Sequence, residues 1–229
     1  MLNDCRLALR ILLRSPGFAI VAILSLALGI GANTAIFSLM DQALLRSLPV
    51  ADPERLVAFD SPGPNEGWVD NDSKLSVFSV PIYHDLRDRG KVFTGIIARA
   101  HATVSVQTGG QTEMAEAETV SGNFFDVLGV RPFLGRMFAA SDDGAPGANP
   151  VIVLEHGFWT RRFGADRSIV GKTVRINNLP MTVIGVSKPG FRGVVQGTPA
   201  DLFVPIAMKA QISPVWPEGG LNNRKVHWL

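Results

Sequence analysis

With a single cysteine, Cys5, the chain can close no disulfide within itself and can build no thiolate metal cluster. Histidine is nearly as scarce. His84, His101, His156 and His227 stand far apart, and none has a second histidine or a cysteine at metal-ligand spacing, so all four read as structural and no metal site is expected. Charge of neither sign dominates: 22 Lys and Arg face 20 Asp and Glu, a formal net charge of +2, without the basic stripe of a nucleic-acid binder. Nucleic acid is therefore excluded as a partner.

Phosphate-binding loops are missing too. Gly171-Lys172-Thr173 ends like a P-loop, but the glycine required five positions earlier is Asp166, and Lys172 opens a predicted strand rather than a helix. Gly29-Ile30-Gly31 is half of a dinucleotide fingerprint, yet position 34 is Thr34 and the segment is apolar throughout. Asp142-Asp143 lacks the alternating spacing that calcium needs, and Glu113, Glu116 and Glu118 read as solvated positions of a hairpin. No catalytic residue, cofactor-binding residue or metal ligand is expected, and the chain is not read as an enzyme.

What the sequence does contain is a long apolar run. Hydrophobic residues make up 46% and charged residues 18% of the 229, and a mean hydropathy of +0.20 points to one locally apolar segment. From Ser15 to Met40 no residue is charged, which exceeds the roughly 20 residues that cross a bilayer core as a helix. Ser15 and Pro16 supply a cap and a first helical residue. Before the run, Arg6, Arg10 and Arg14 recur every fourth position and share one face of a predicted amphipathic, interfacial helix over 1–14. These arginines place the N-terminus in the cytoplasm by the positive-inside rule, with lipid as a partner. The other reading of a basic start and an apolar run is a cleaved signal peptide, but the run is longer than a signal core and lacks a convincing cut site.

Within the run, Ala27, Gly31 and Ala35 form one row of small residues, and Ser25, Gly29 and Asn33 form another. Such rows let helix backbones approach closely, so other transmembrane helices are the expected neighbours. Small residues are also common in membrane spans, which is the plainer explanation of the same rows.

After the run the pattern turns to short β-rich stretches between turn signals. Strands are expected at Arg55 to Asp60, Val92 to Thr108, Glu113 to Val120, Val151 to Leu154, Thr173 to Asn177, Met181 to Ser187 and Asp201 to Ile206. Gly109-Gly110 suggests a hairpin, a turn is expected at Asn178-Leu179-Pro180, and a loop over Ser61 to Asp72. Helices are expected at Ser79 to Arg89, Asn123 to Leu128 and Glu155 to Phe163. This mixture, without strict strand–helix–strand repetition, predicts an α+β fold with a mixed sheet. The domain organisation expected is a basic helix over 1–14, a transmembrane helix and connector over 15–46, and an outer domain over 50–229. The ending Val226-His227-Trp228-Leu229 is an apolar, strand-like run, and the chain reads as truncated there.

The chain resembles the permease family of macrolide-exporter type, MacB-like and FtsX-like, and in particular the duplicated orphan permeases of Acidobacteria type. The likeness lies in Arg14-Ser15-Pro16-Gly17-Phe18, the stretch Leu26 to Ser38, Leu44-Leu45-Arg46-Ser47-Leu48-Pro49 and Pro53-Glu54-Arg55-Leu56-Val57. It continues in Val120-Ser121-Gly122-Asn123-Phe124-Phe125, Gly135-Arg136-Met137-Phe138, Phe158-Trp159, Ile169-Val170-Gly171-Lys172 and Phe203-Val204-Pro205. The resemblance implies a permease subunit of an ATP-binding-cassette exporter in the bacterial inner membrane. It also implies a periplasmic core domain, ATP hydrolysis by a separate ATP-binding subunit, and Leu39 to Leu48 as the connector that relays motion. Family members carry further spanning helices after the core domain, so the resemblance also implies an N-terminal fragment. A single-span periplasmic binding or adaptor module, and a secreted hydrolase, are the alternatives.

Overall fold

Proline at the first helical position and an unbroken series of apolar and small residues give α1, Pro16–Met40, in the computed structural model. The structure describes residues 14–40, 48–59, 68–69, 78–195, 197–213 and 220–229. The expected basic helix therefore lies outside the described residues save Arg14, as do Arg6 and Arg10, most of the Leu39 to Leu48 connector and most of the Ser61 to Asp72 loop. The chain divides into two compact units between Ser47 and Leu48. In the first, Pro16–Ser38 has no buried residue, and it is the one helix among the described residues long and apolar enough to cross a membrane.

The second unit is an α+β domain, the fold class expected. Its helices are α2 (Val80–Arg89), α3 (Phe124–Val127), α4 (His156–Phe163) and α5 (Lys209–Ile212). Its strands are β1 (Trp68–Val69), β2 (Arg99–Thr108), β3 (Gln111–Val120), β4 (Pro132–Gly135), β5 (Val151–Leu154), β6 (Thr173–Ile176), β7 (Leu179–Ser187), β8 (Leu202–Pro205) and β9 (Val226–His227). Seven strands pair in the order β4-β7-β5-β8-β3-β2-β6, and β6 pairs again with β7, so the ladder closes on itself. The sheet is mixed: β3 runs parallel to β8, β5 parallel to β7, and the other pairs are antiparallel.

Alternation along the strands divides the apolar side chains between two faces. One face carries Val104, Val106, Ala115, Ala117, Ile152, Leu154 and Val204, with Phe158 and Trp159 of α4 against it. The other carries Val120, Val153 and Phe203 beneath Phe124, Phe125, Phe138 and Phe191. In that second cluster Phe125 meets Phe203 edge-on at 5.1 Å and Phe191 stacks on Phe203 at 5.7 Å. The α4 helix starts where the Glu155 side chain accepts from the Phe158 N–H at 2.8 Å, and ends at Gly164, whose φ of 60° glycine adopts without strain.

Several sequence expectations need correction. Of the strand expected over Arg55 to Asp60, the described residues 55–59 form none: Pro53–Arg55 is a 3₁₀ turn and the rest are irregular, with Val57 exposed, and among the described residues no strand pairs with them. The strand expected from Val92 begins only at Arg99. Before it, the Ala98 N–H bonds Ser121 Oγ and the Ile96 carbonyl accepts from Asn123 Nδ2, so side chains replace the ladder. The turn between β6 and β7 is Asn177-Asn178, both at positive φ, and Pro180 lies inside β7 opposite Arg175. The short strands β1 and β4 carried no alternation long enough to read. The terminal run packs within the domain: β9 pairs in parallel with β1, and Val226 and Trp228 are buried beside Val80 and Tyr83 of α2.

Candidate functional site

The packing that builds α2, the irregular stretch before β2 and the segment 48–59 leaves an apolar cleft of about 590 Å³. The segment 48–59 is pinned where the Ala51 N–H donates to the Leu128 carbonyl at 3.0 Å. Ile96, Ala98 and Leu128 form the buried floor, while Leu56, Phe59, Phe93 and Val195 on the walls keep more than a third of their surface exposed. Phe59 and Phe93 meet edge to face at 5.1 Å. Large apolar side chains exposed together around a concavity mark a contact surface.

Among the described residues, the charged side chains at this cleft are Asp52, Arg55 and Arg99. Arg99, at the start of β2, is 28% exposed in its side chain and turns its Nε to Glu118 Oε1 at 3.0 Å. Glu118 is buried to 1%, which corrects its reading as a solvated hairpin position. The β3 strand runs from an exposed end to a buried one: Glu113 and Glu116 stay near water, whereas Glu118 shares a face with Val120 of the phenylalanine cluster. The pair is close in distance but poorly aligned, since neither Glu118 oxygen nor Arg99 Nε makes a well-directed hydrogen bond. Burial pushes the Glu118 carboxyl up to about 7, with the Arg99 charge opposing.

Gly193 closes the site from the other side. It holds φ at +99°, and a Cβ there would stand 2.9 Å from Glu118 Oε2, so the loop can rest on the carboxylate only as glycine. A second polar group lies between α2 and the loops beside α3. Tyr83 Oη donates to Asn123 Oδ1 at 3.2 Å, and Asp143 accepts from the Gly122 N–H at 3.2 Å. Burial raises the Asp143 carboxyl, and the Gly122 bond opposes it. Its neighbour Asp142 is held low, first by its hydrogen bonds from Arg136 at 2.6 and 2.9 Å.

The residues singled out from sequence are placed as follows. Ser25, Ala27, Gly29, Gly31, Asn33 and Ala35 lie exposed on α1, as does Arg14 just before it. His101 contacts Glu116 at 2.9 Å, His156 packs on Phe133, and His227 lies 2.9 Å from the Arg224 carbonyl. Lys172 reaches Asp166 at 2.9 Å and Ser168 at 2.7 Å, so Gly171-Lys172-Thr173 is a turn that tethers its own loop. Arg99, Glu118 and Gly193 were not found from sequence. The available signal was a carboxylate two positions from Val120 on a strand whose later half turns apolar.

The sequence profile of the MacB-like periplasmic core domain matches residues 19–221. The chain belongs to that family. Its relatives are export proteins: it is 31% identical over 91 residues to the probable syringafactin export ATP-binding/permease protein SyfD of Pseudomonas syringae pv. tomato, covering 40% of this chain and 13% of that one. It is 27% identical over 103 residues to the macrolide export ATP-binding/permease protein MacB 1 of Aeromonas hydrophila, covering 45% and 16%. The chain thus spans a small part of the curated relatives it matches. Among solved structures it is similar to the periplasmic region of MacB from Actinobacillus actinomycetemcomitans, at TM-score 0.48 and 21% identity over 58% of this chain and 57% of that one. The extracellular domain of the ABC-type transporter YknZ from Gram-positive bacteria gives TM-score 0.48 and 20% identity over 59% and 66%. The family is one of transporter permeases rather than of enzymes in the ordinary sense.

Proposed function

We propose that this chain is the membrane-anchored, extracytoplasmic part of an ABC-exporter permease, in which α1 crosses the inner membrane with its N-terminus in the cytoplasm. The single observation that carries this reading is α1 itself: Pro16–Ser38 is apolar, uncharged and without a buried residue, at the start of a chain whose residues 19–221 match the periplasmic core family. One of its hydroxyls supports it further, since Thr34 Oγ1 donates to the Ile30 carbonyl at 2.8 Å and so needs no water.

On this reading the domains are a basic interfacial helix over 1–14, the span and connector over 15–46 and the periplasmic domain over 50–229. Arg6, Arg10 and Arg14 meet the lipid headgroups, and the rows Ala27, Gly31, Ala35 and Ser25, Gly29, Asn33 pack against other transmembrane helices. Energy comes from a separate ATP-binding subunit, and the chain couples motion of the span to the outer domain. Such coupling needs a contiguous, stiff connection with two arrangements. The test is topology and anchoring together: alkaline phosphatase fused after Leu229 is active and stays with membranes through a carbonate wash. An inactive fusion, or release of the protein by carbonate, would sink the reading.

A further inference from the structure

The cleft wall carries a cation, Arg99, whose one ionic partner among the described residues is a poorly aligned carboxylate on its far side. Arg99 borders the cleft and is partly exposed there, whereas Glu118 is not among the cleft's lining residues and is held from behind by Gly193. Arg99 follows an irregular stretch rather than the middle of a ladder, so its guanidinium can turn toward the cleft. Among the described residues, the charged side chains lining the cleft are Arg55 and Arg99, both cations, and Asp52. The remaining walls are chiefly apolar, and the 590 Å³ volume falls in the roughly 300–1,000 Å³ range that encloses a small organic molecule.

We propose that the cleft bordered by Leu56, Phe93, Ile97 and Val195 binds an amphiphile with a carboxylate head, which takes Arg99 from Glu118 while Glu118 takes up a proton. The balance is simple: one anion and one proton enter, the ion pair Arg99–Glu118 is exchanged for Arg99–ligand, and no buried charge is left uncompensated. A cationic amphiphile would meet two guanidinium groups and is disfavoured. Around Glu118 the groups are few. From β2 come Arg99 and His101, the latter engaged by Glu116; from β8 the register partner is the uncharged Phe203; from the loop comes Gly193, next to Arg192. A carboxyl already raised to about 7 by burial accepts that proton near neutral pH. The proposal concerns residues 48–229 alone and does not depend on whether α1 spans a membrane.

The test uses the full chain in phosphatidylcholine nanodiscs and a medium-chain alkyl carboxylate bearing a diazirine in its tail, with crosslinked peptides mapped by mass spectrometry. Labels are expected on peptides containing Leu56, Phe93, Ile97 or Val195, displaced by unlabelled alkyl carboxylate and not by alkyltrimethylammonium. Arg99→Gln weakens binding about tenfold, the scale of one charge-assisted contact. Val195→Trp, at an exposed wall position, lowers labelling without disturbing the core. Between about pH 6 and 8.5, wild-type labelling relative to that of Glu118→Gln falls as pH rises, a ratio in which the ligand's own ionisation cancels. Labels confined to α1, equal displacement by the cation, or an unchanged pH profile in Glu118→Gln would each overturn the proposal.

Discussion

Replacing Glu118 by glutamine should stabilise the outer domain at alkaline pH. The carboxyl titrates near 4.5 when unperturbed and at about 7 in the fold, so between those values the folded state holds more protons than the unfolded one. Stability then falls by about 1.4 kcal/mol per pH unit across that window, and about 3 kcal/mol is lost by pH 7 and above. The sign is opposite to that of an ordinary salt-bridged carboxylate, because burial outweighs the Arg99 attraction. Glutamine mimics the protonated acid in shape, and Arg99, partly exposed, can turn to water when its partner becomes neutral. Urea unfolding followed by the fluorescence of the buried Trp159 and Trp228 measures the difference. At pH 8 the variant should be more stable by about 3 kcal/mol, a midpoint shift of roughly 1.5 M at a slope near 2 kcal/mol/M. At pH 5 the two proteins should nearly coincide. Other titrating groups, Asp143 included, are common to both proteins and cancel. A variant less stable at pH 8, or a difference independent of pH, would refute the argument.

Gly193→Ala should destabilise by about 1–3 kcal/mol, because φ is +99° and the new Cβ would press on Glu118 Oε2; its thermal midpoint should fall accordingly. Phe125→Ala empties the centre of the phenylalanine cluster and should cost about 3–5 kcal/mol in urea unfolding. Asp142→Asn removes the paired bonds from Arg136 and should cost about 1–3 kcal/mol at pH 7. Since Arg136 holds this carboxyl low in the fold, that contribution is present above the ordinary carboxylate range and disappears as pH falls through the folded value, so the two unfolding curves should merge in acid.

The sequence was legible where a local pattern and the tertiary outcome agree. The β2–β3 hairpin at Gly109-Gly110, the buried run Val151 to Leu154 and the capped helix after Glu155 each carry their signal within a few residues. It misled where pairing decides. Arg55 to Asp60 has strand propensity, but its described residues pair with no strand among the described residues, and β1 is two residues whose pairing is with β9, far along the chain. The candidate site was hidden for the same reason: the alternation of β3 puts Glu116 and Glu118 on one face, the first near water and the second buried, and the loop carrying Gly193, far along the chain, rests on the second. The apolar cleft gathers residues from segments 48–59, 78–99, 127–128 and 194–195 and Leu229, which no spacing rule connects.

The central claim is that α1 crosses a membrane and leaves the later unit outside. Cys5 is the single thiol, so a membrane-impermeant maleimide applied to spheroplasts reads topology directly. In a Cys5→Ser background, Thr112→Cys at the exposed hairpin should label on intact spheroplasts, whereas Cys5 of the wild-type chain should label only after lysis. Labelling of Cys5 from outside, or protection of Thr112→Cys until lysis, would contradict the account.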